Sequence, residues 1–209
     1  MAPHPARYSD AILQAVESMG LDNLRVLDPF AGVGGLRRVL PNATLVELER
    51  GWATHIVGDA RRLPFARDSF DAIVTSPCYG NRLADHHNAR DGAVRHSYTH
   101  DLGRRLRPES SGELYFWQSA YKSFHVSAWG EALRVLCPGG IFVLNISNFI
   151  RNGQEQFVSE WHLETLEGMG CHLMRDYQIG TPRMRYGANG NARVEFEHIM
   201  VFRGPMAPA

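Results

Sequence analysis

The sequence predicts an α/β fold: a mostly parallel sheet of seven strands, helices on both faces, and an antiparallel last strand. Three observations carry that prediction. Leu24 to Asp28 is a short apolar run that ends in an acid and passes into a glycine-rich turn, Pro29 to Gly35. That is how a buried parallel strand delivers the chain to a ligand at its carboxyl end. Further apolar runs at 43–48, 54–57, 70–75 and 141–146 alternate with turns or with stretches of helical period. Two last runs, 171–179 and 194–202, read as a closing pair of strands.

The chain of 209 residues reads as a single domain, 1–209, with a basic insertion at about 81–112. Apolar residues make up 44% and charged residues 21%, the balance of a globular protein with a real core. No apolar run reaches membrane-spanning length, and Met1 to Arg7 lacks a signal peptide's apolar stretch, so no membrane partner and a cytoplasmic location are expected. The three cysteines, Cys78, Cys137 and Cys171, form no paired pattern and are expected as free thiols. Lys+Arg and Asp+Glu are both 22, so net charge gives no hint of a nucleic acid. Its distribution does. Between Arg82 and Arg107 six arginines face three aspartates, and between Gly180 and Arg193 three arginines face no acid. Two basic segments on a neutral chain can form one phosphate-binding face, or can be solvated loops.

Taken in order, Ser9 caps a helix running to Met19, with Ile12, Leu13 and Val16 on its buried side and Gly20 as its stop. The first strand and the glycine turn follow. Gly32-Val33-Gly34-Gly35 lacks the full spacing of a pyrophosphate site, and Asp28 beside it would repel phosphate yet suit an ammonium or a ribose hydroxyl. A short helix ends at Pro41, and 43–48 is the second strand, with Glu47 placed to accept from a ribose diol and Glu49 competing for that role. Trp52 closes over a ligand or, more simply, fills the space left by a missing helix. Asp59 ends the third strand, and 70–75 is the fourth, delivering Ser76-Pro77-Cys78-Tyr79-Gly80 to the same edge as Asp28. The stretch 81–112 exceeds an ordinary connection and reads as a functional loop. His86, His87, His96 and His100 in it lack a cysteine partner or finger spacing, so no metal is expected. Helix is expected in 113–136, with Trp129, Leu133 and Leu136 inward, and again in 154–169, with Phe157, Trp161 and Leu166 inward. Cys137-Pro138-Gly139-Gly140 separates the first of these from the fifth strand.

Asp28-Pro29-Phe30-Ala31-Gly32-Val33-Gly34 resembles the cofactor motif of S-adenosylmethionine-dependent methyltransferases, in the form found in amino-group DNA methyltransferases. Glu47, Asp59 and Ser76-Pro77-Cys78-Tyr79 follow in that family's order, and the resemblance covers roughly Pro3 to Phe202. It implies a Rossmann-like methyltransferase fold and S-adenosylmethionine as cofactor. Ala6, Asp28, Phe30, Gly32, Gly34, Glu47, Leu48, Asp59 and Ala60 are its implied binding residues. Ser76, Pro77, Cys78 and Tyr79 are implied as catalytic. A base amine has its lone pair delocalised into the ring, and acceptors at Ser76 Oγ and the Pro77 carbonyl draw that pair out while Tyr79 stacks on the flipped base. Ser as the first residue is the form associated with cytosine N4, ahead of adenine N6. DNA is the expected partner, ahead of RNA, with Arg82, Arg104, Arg105, Arg107, Arg183 and Arg185 as candidate phosphate contacts.

The chain departs from the family at Cys78, where a second proline is usual. Pro77-Cys78 resembles the nucleophile loop of C5-pyrimidine methyltransferases, but 144–148 lacks the acid such an enzyme requires. Nearly the same loop would serve an RNA guanine-N2 methyltransferase, and the change at Cys78 would also suit a catalytically inactive cofactor-binding module.

Overall fold

The computed structural model describes residues 7–52, 56–81, 97–180 and 194–207. Helix α1 is Asp10–Glu17; Ser9 Oγ accepts from the Ile12 N–H at 3.3 Å, and Asp10 sits in the positive first turn. Strand β1, Val26–Asp28, is fully buried, and the glycine turn follows with Gly32 and Gly34 at φ of 52° and 79°. The expected helix after it is a single 3₁₀ turn, Gly35–Arg38. Then come β2 (Thr44–Glu47), β3 (Ile56–Val57) and β4 (Phe70–Thr75). A short helix α2 (Tyr98–Leu102) precedes the long α3 (Ser119–Val135) and β5 (Leu136–Ile146). A hairpin of β6 (Phe149–Arg151) and β7 (Gln154–Gln156) leads to α4 (Val158–Gly168), and β8 (His172–Gly180) and β9 (Phe196–Arg203) complete the chain.

Among the described residues the main sheet has seven strands in the order β3-β2-β1-β4-β5-β9-β8. All pairings through β5 are parallel, and β9 runs antiparallel to both of its neighbours. Alternation along the strands divides the core. Ile73, Phe142, Leu144 and Phe202 face the side covered by α3 and α4, with Trp129 and Leu166. Ala72, Val74, Val143 and Ile199 face the side covered by α1, with Ile12 and Val16. Among the described residues no helix is long and apolar enough to cross a membrane.

Three expectations fail here. The helix expected from Glu113 begins only at Ser119, after a 3₁₀ turn at Ser111–Glu113 and a non-helical stretch through Gln118. The helix expected from Gln154 begins only at Val158, because Asn152 and Gly153, both at positive φ (50° and 74°), close a hairpin that claims Gln154–Gln156. Phe157, expected inside, is 58% exposed at the junction. The fifth strand also starts earlier than expected. β5 pairs with Phe70 at Leu136, and its register jumps across Cys137–Gly140, so those residues form an irregular strand start instead of a separate linker.

Candidate active site

The carboxyl ends of β1, β2 and β4 open into one cavity of about 640 Å³, within the range of small-molecule sites. Phe30, Gly32, Gly34, Glu47, Leu48, Asp59 and Ala60 line it, as do Ser76, Pro77, Cys78 and Tyr79. Ala6 lies outside the described residues, but Arg7 and Tyr8 beside it line the cavity.

Glu47 is held from two sides. The Gly32 N–H donates to its Oε2 and the Glu49 N–H to its Oε1, each at 2.8 Å. Burial pushes its carboxyl up and these backbone bonds pull it down. Each oxygen keeps a second lone pair, the acceptor set a ribose diol requires. Glu49, its competitor, faces away. It is 1% exposed and accepts from Arg104 Nη2 at 2.7 Å and from the Arg107 N–H at 2.6 Å, so it anchors the returning insertion. Asp59 borders the cavity with Arg61 chelating its carboxylate at 2.7–3.2 Å; desolvation opposes its ionisation, but the bonds from Arg61 prevail and lower it.

Asp28 differs from its expected place. It is 0% exposed and does not border the cavity; Tyr8 stands in front of it. Thr75 Oγ1 and the Phe30 N–H donate to Oδ1 at 2.8 and 3.0 Å, and Tyr8 Oη donates to Oδ2 at 3.3 Å. Burial pushes the carboxyl up to about 7 against those donors. A buried acid with three donors organises the turn from behind, which corrects the expectation that it meets a ligand directly.

The loop after β4 is fixed by tertiary contacts. Gly80 has φ of 72°, and a Cβ there would run into the Phe116 backbone. The Cys78 carbonyl accepts from Tyr121 Oη at 2.8 Å. Behind Tyr121, Trp129 Nε1 donates to His162 Nδ1, so His162 Nε2 carries the proton and donates to Tyr121 Oη, both at 3.0 Å. Desolvation keeps His162 neutral, and it lowers His125, on α3 beside it, to about 4. His125 Nε2 is buried without a partner among the described residues. The Cys78 thiol lies 3.4 Å from Tyr98 Oη, and burial raises it.

Sequence reasoning missed several lining residues. Tyr98, Ser111, Phe124 and Glu197 all face the cavity. Glu197 has a recognisable signal: the first residues of an antiparallel last strand lie at the edge where the parallel strands end. Its Oε2 accepts from Tyr79 Oη at 3.0 Å and from Asn145 Nδ2 at 3.1 Å. Trp52, 3% exposed, packs on Tyr98 and Leu106 as a filler and also touches the cavity. Of the candidate phosphate contacts, Arg82, Arg183 and Arg185 lie outside the described residues, as do His86, His87 and His96. Arg104 is engaged by Glu49, Arg105 is exposed and Arg107 is half-buried.

The strand order and the single antiparallel strand define a Rossmann-like methyltransferase fold. No protein-family model matches the sequence, and no curated protein matches it. Solved structures do match. An S-adenosylmethionine-dependent methyltransferase from Leishmania major is 10% identical over 93% of this chain and 72% of its own, at a TM-score of 0.54. Burkholderia thailandensis 1,6-didemethyltoxoflavin-N1-methyltransferase, bound to 1,6-didemethyltoxoflavin and S-adenosylhomocysteine, is 15% identical over 92% and 76%, at 0.52. The [4+2]-cyclase SpnF is 16% identical over 97% and 85%, at 0.56. At such identities the likeness shows the fold, and the cyclase illustrates that this fold hosts more than one chemistry.

Proposed function

We propose that this protein is an S-adenosylmethionine-dependent methyltransferase acting on an exocyclic base amine in DNA, cytosine N4 ahead of adenine N6. One observation carries the reading: the glycine turn with Glu47 and the Ser76–Tyr79 loop open into the same cavity. The lining chemistry fits the cofactor. Glu47 retains acceptor capacity for a ribose diol, Leu48 and Ala60 offer apolar walls for an adenine, and Gly32 and Gly34 let backbone approach closely. When bound, S-adenosylmethionine supplies an electrophilic methyl group. The chain's own residues do the rest: Ser76 Oγ and the Pro77 carbonyl accept the amine's hydrogens, Tyr79 holds the base, and Asp28 keeps the turn in shape.

Chemistry at the pyrimidine C5 position would need a thiolate at Cys78. Burial disfavours that ion, and the neighbour of the thiol is a phenol, not a base. The test is incubation of the protein with DNA and S-adenosylmethionine carrying a labelled methyl group, followed by nucleoside mass spectrometry. N4-methylcytosine supports the reading, whereas a covalent adduct with 5-fluorocytosine DNA, or methylation of RNA alone, overturns it.

A further inference from the structure

β9 runs against its neighbours, so its second residue, Glu197, reaches the edge where the parallel strands end and lines the cavity. Tyr79 Oη donates to Glu197 Oε2 at 3.0 Å and lies 3.3 Å from Ser76 Oγ. Ser76, Tyr79 and Glu197 therefore form a continuous line of exchangeable protons, from the residue that meets the target amine to a carboxylate. Asn145 Nδ2, donating at 3.1 Å from β5, fixes that carboxylate at the end of the line.

Among the described residues, the other titratable groups at this end are engaged elsewhere or hold their protons. Tyr8 and Cys78 hold their protons, since burial raises both. Asp28 stands behind Tyr8. Glu47 and Asp59 are bound to the glycine turn and to Arg61. His198, next along β9, turns to the other face of the sheet and pairs with Asp176 at 2.8 Å.

We propose that Glu197 is the terminal acceptor of the proton released during amine methylation, reached through Ser76 and Tyr79. This rests on the function proposed above. As the amine gains its methyl group, a nitrogen–carbon bond forms and the sulfur–carbon bond breaks, with its electron pair left on sulfur. The nitrogen then carries a surplus proton. That proton passes to Ser76 Oγ, the Ser76 proton to Tyr79 Oη, and the Tyr79 proton to Glu197, which ends as a neutral acid. The phenol is thus more than a stacking platform.

The test compares wild type, Glu197→Gln and Tyr79→Phe in single-turnover transfer to DNA across the pH range, alongside two readouts that need no turnover. Calorimetry with S-adenosylhomocysteine should give affinities within about twofold of wild type, showing the cofactor half intact. In protein labelled with ¹³C at tyrosine Cζ, the signal missing from Tyr79→Phe should move in Glu197→Gln. Transfer should slow by about 100-fold in both variants, the scale of general base catalysis. The wild-type rate is expected to fall on acidification, and that fall should vanish in Glu197→Gln, a change that mere positioning of Tyr79 would not produce. Transfer by Glu197→Gln within about threefold of wild type with the same pH dependence, or an unmoved Tyr79 signal, overturns the relay alone. If Glu197→Gln loses S-adenosylhomocysteine binding, Tyr79→Phe decides, because it keeps the ring and removes only the hydroxyl. Failure of wild type to methylate any cytosine or adenine amine in DNA overturns the proposed function, and the relay with it.

Discussion

Asp28→Asn should change how acid acts on the stability of this protein. In wild type, burial raises the Asp28 carboxyl from 3.8 to about 7. The stability that Asp28 contributes is therefore full below about pH 4 and is lost as pH rises through about 7. At 1.36 kcal/mol per pH unit that difference amounts to about 4 kcal/mol. His125 works in the opposite direction. Its pKa falls from 6.5 to about 4 in the folded chain, so its contribution is full above pH 6.5 and about 3 kcal/mol is lost as pH falls toward 4. His162, also held neutral by burial, adds to the histidine side. Over the same window the acid and the histidines largely cancel.

Asn at position 28 keeps an acceptor for the Phe30 N–H and for Thr75, and it removes the titration. The variant should then lose about 3 kcal/mol or more between pH 7 and pH 4, where wild type changes little. Above pH 7 it should be the more stable of the two. Urea unfolding at intervals across that range measures both, and at about 2 kcal/mol/M the difference between the two pH slopes is about 2 M in midpoint. Surface carboxylates titrate alike in both proteins and drop out of the comparison. Parallel curves for the two proteins would refute the reasoning and show that the three donors hold the buried Asp28 carboxyl near its ordinary range.

Gly80→Ala should abolish transfer and leave S-adenosylhomocysteine binding intact by calorimetry, since its positive φ and the Phe116 backbone exclude a Cβ only at the loop. Glu49→Ala removes the acceptor of the Arg107 N–H and of Arg104, whose side chain is 45% exposed and returns to water, so it should cost about 1–2 kcal/mol in thermal or urea unfolding. Arg105→Ala should lower the slope of DNA affinity against salt by about 0.9 if that side chain meets a phosphate, and an unchanged slope assigns it to solvent. Tyr121→Phe should slow transfer, and by less in a Cys78→Pro background. Equal losses in the two backgrounds would show that the hydroxyl does not set the loop.

The strands were legible because their apolar runs have sharp ends. The run 70–75 coincides with β4, and 43–48 contains β2. The shared edge was legible too: Phe30, Gly32, Gly34, Glu47, Leu48, Asp59 and Ala60 line one cavity because they follow strands directly, so their position at the carboxyl edge is fixed by the chain itself. What escaped depends on contacts distant in sequence. Glu47 and Glu49 look alike in a sequence; only the return of residues 104–107 gives Glu49 a cationic partner and leaves Glu47 facing the cavity. Glu197 lies 118 residues from Tyr79, and its one signal is its place at the start of the antiparallel strand, which does not tell which side chain it meets. Burial of Asp28 behind Tyr8 likewise depends on a contact across 20 residues of chain. The Asn152-Gly153 hairpin is the exception: its signal is local and strong, but the helical period of 158–168 extends visually across it.

Cys78 shows how the loop holds its shape without the second proline of the family it resembles. A proline there would fix one φ angle, worth up to about 1 kcal/mol through the unfolded chain. One net hydrogen bond is worth about the same. The Cys78 carbonyl has one, from Tyr121 Oη at 2.8 Å, backed by His162 and Trp129 in an ordered line of donors. Two further anchors come from other parts of the chain. The Phe116 N–H donates to the Gly80 carbonyl at 3.3 Å, and the thiol packs with Trp52, Tyr98 and Leu106. Rigidity that is local in a Pro-Pro loop is tertiary here, distributed over α3, the segment before it and α2. The same burial that seats the thiol keeps it protonated. Cys78 thus serves the loop as a small apolar wedge, and under the proposed function the chemistry at this edge is assigned to the oxygens of Ser76, Pro77, Tyr79 and Glu197, which all line the cavity.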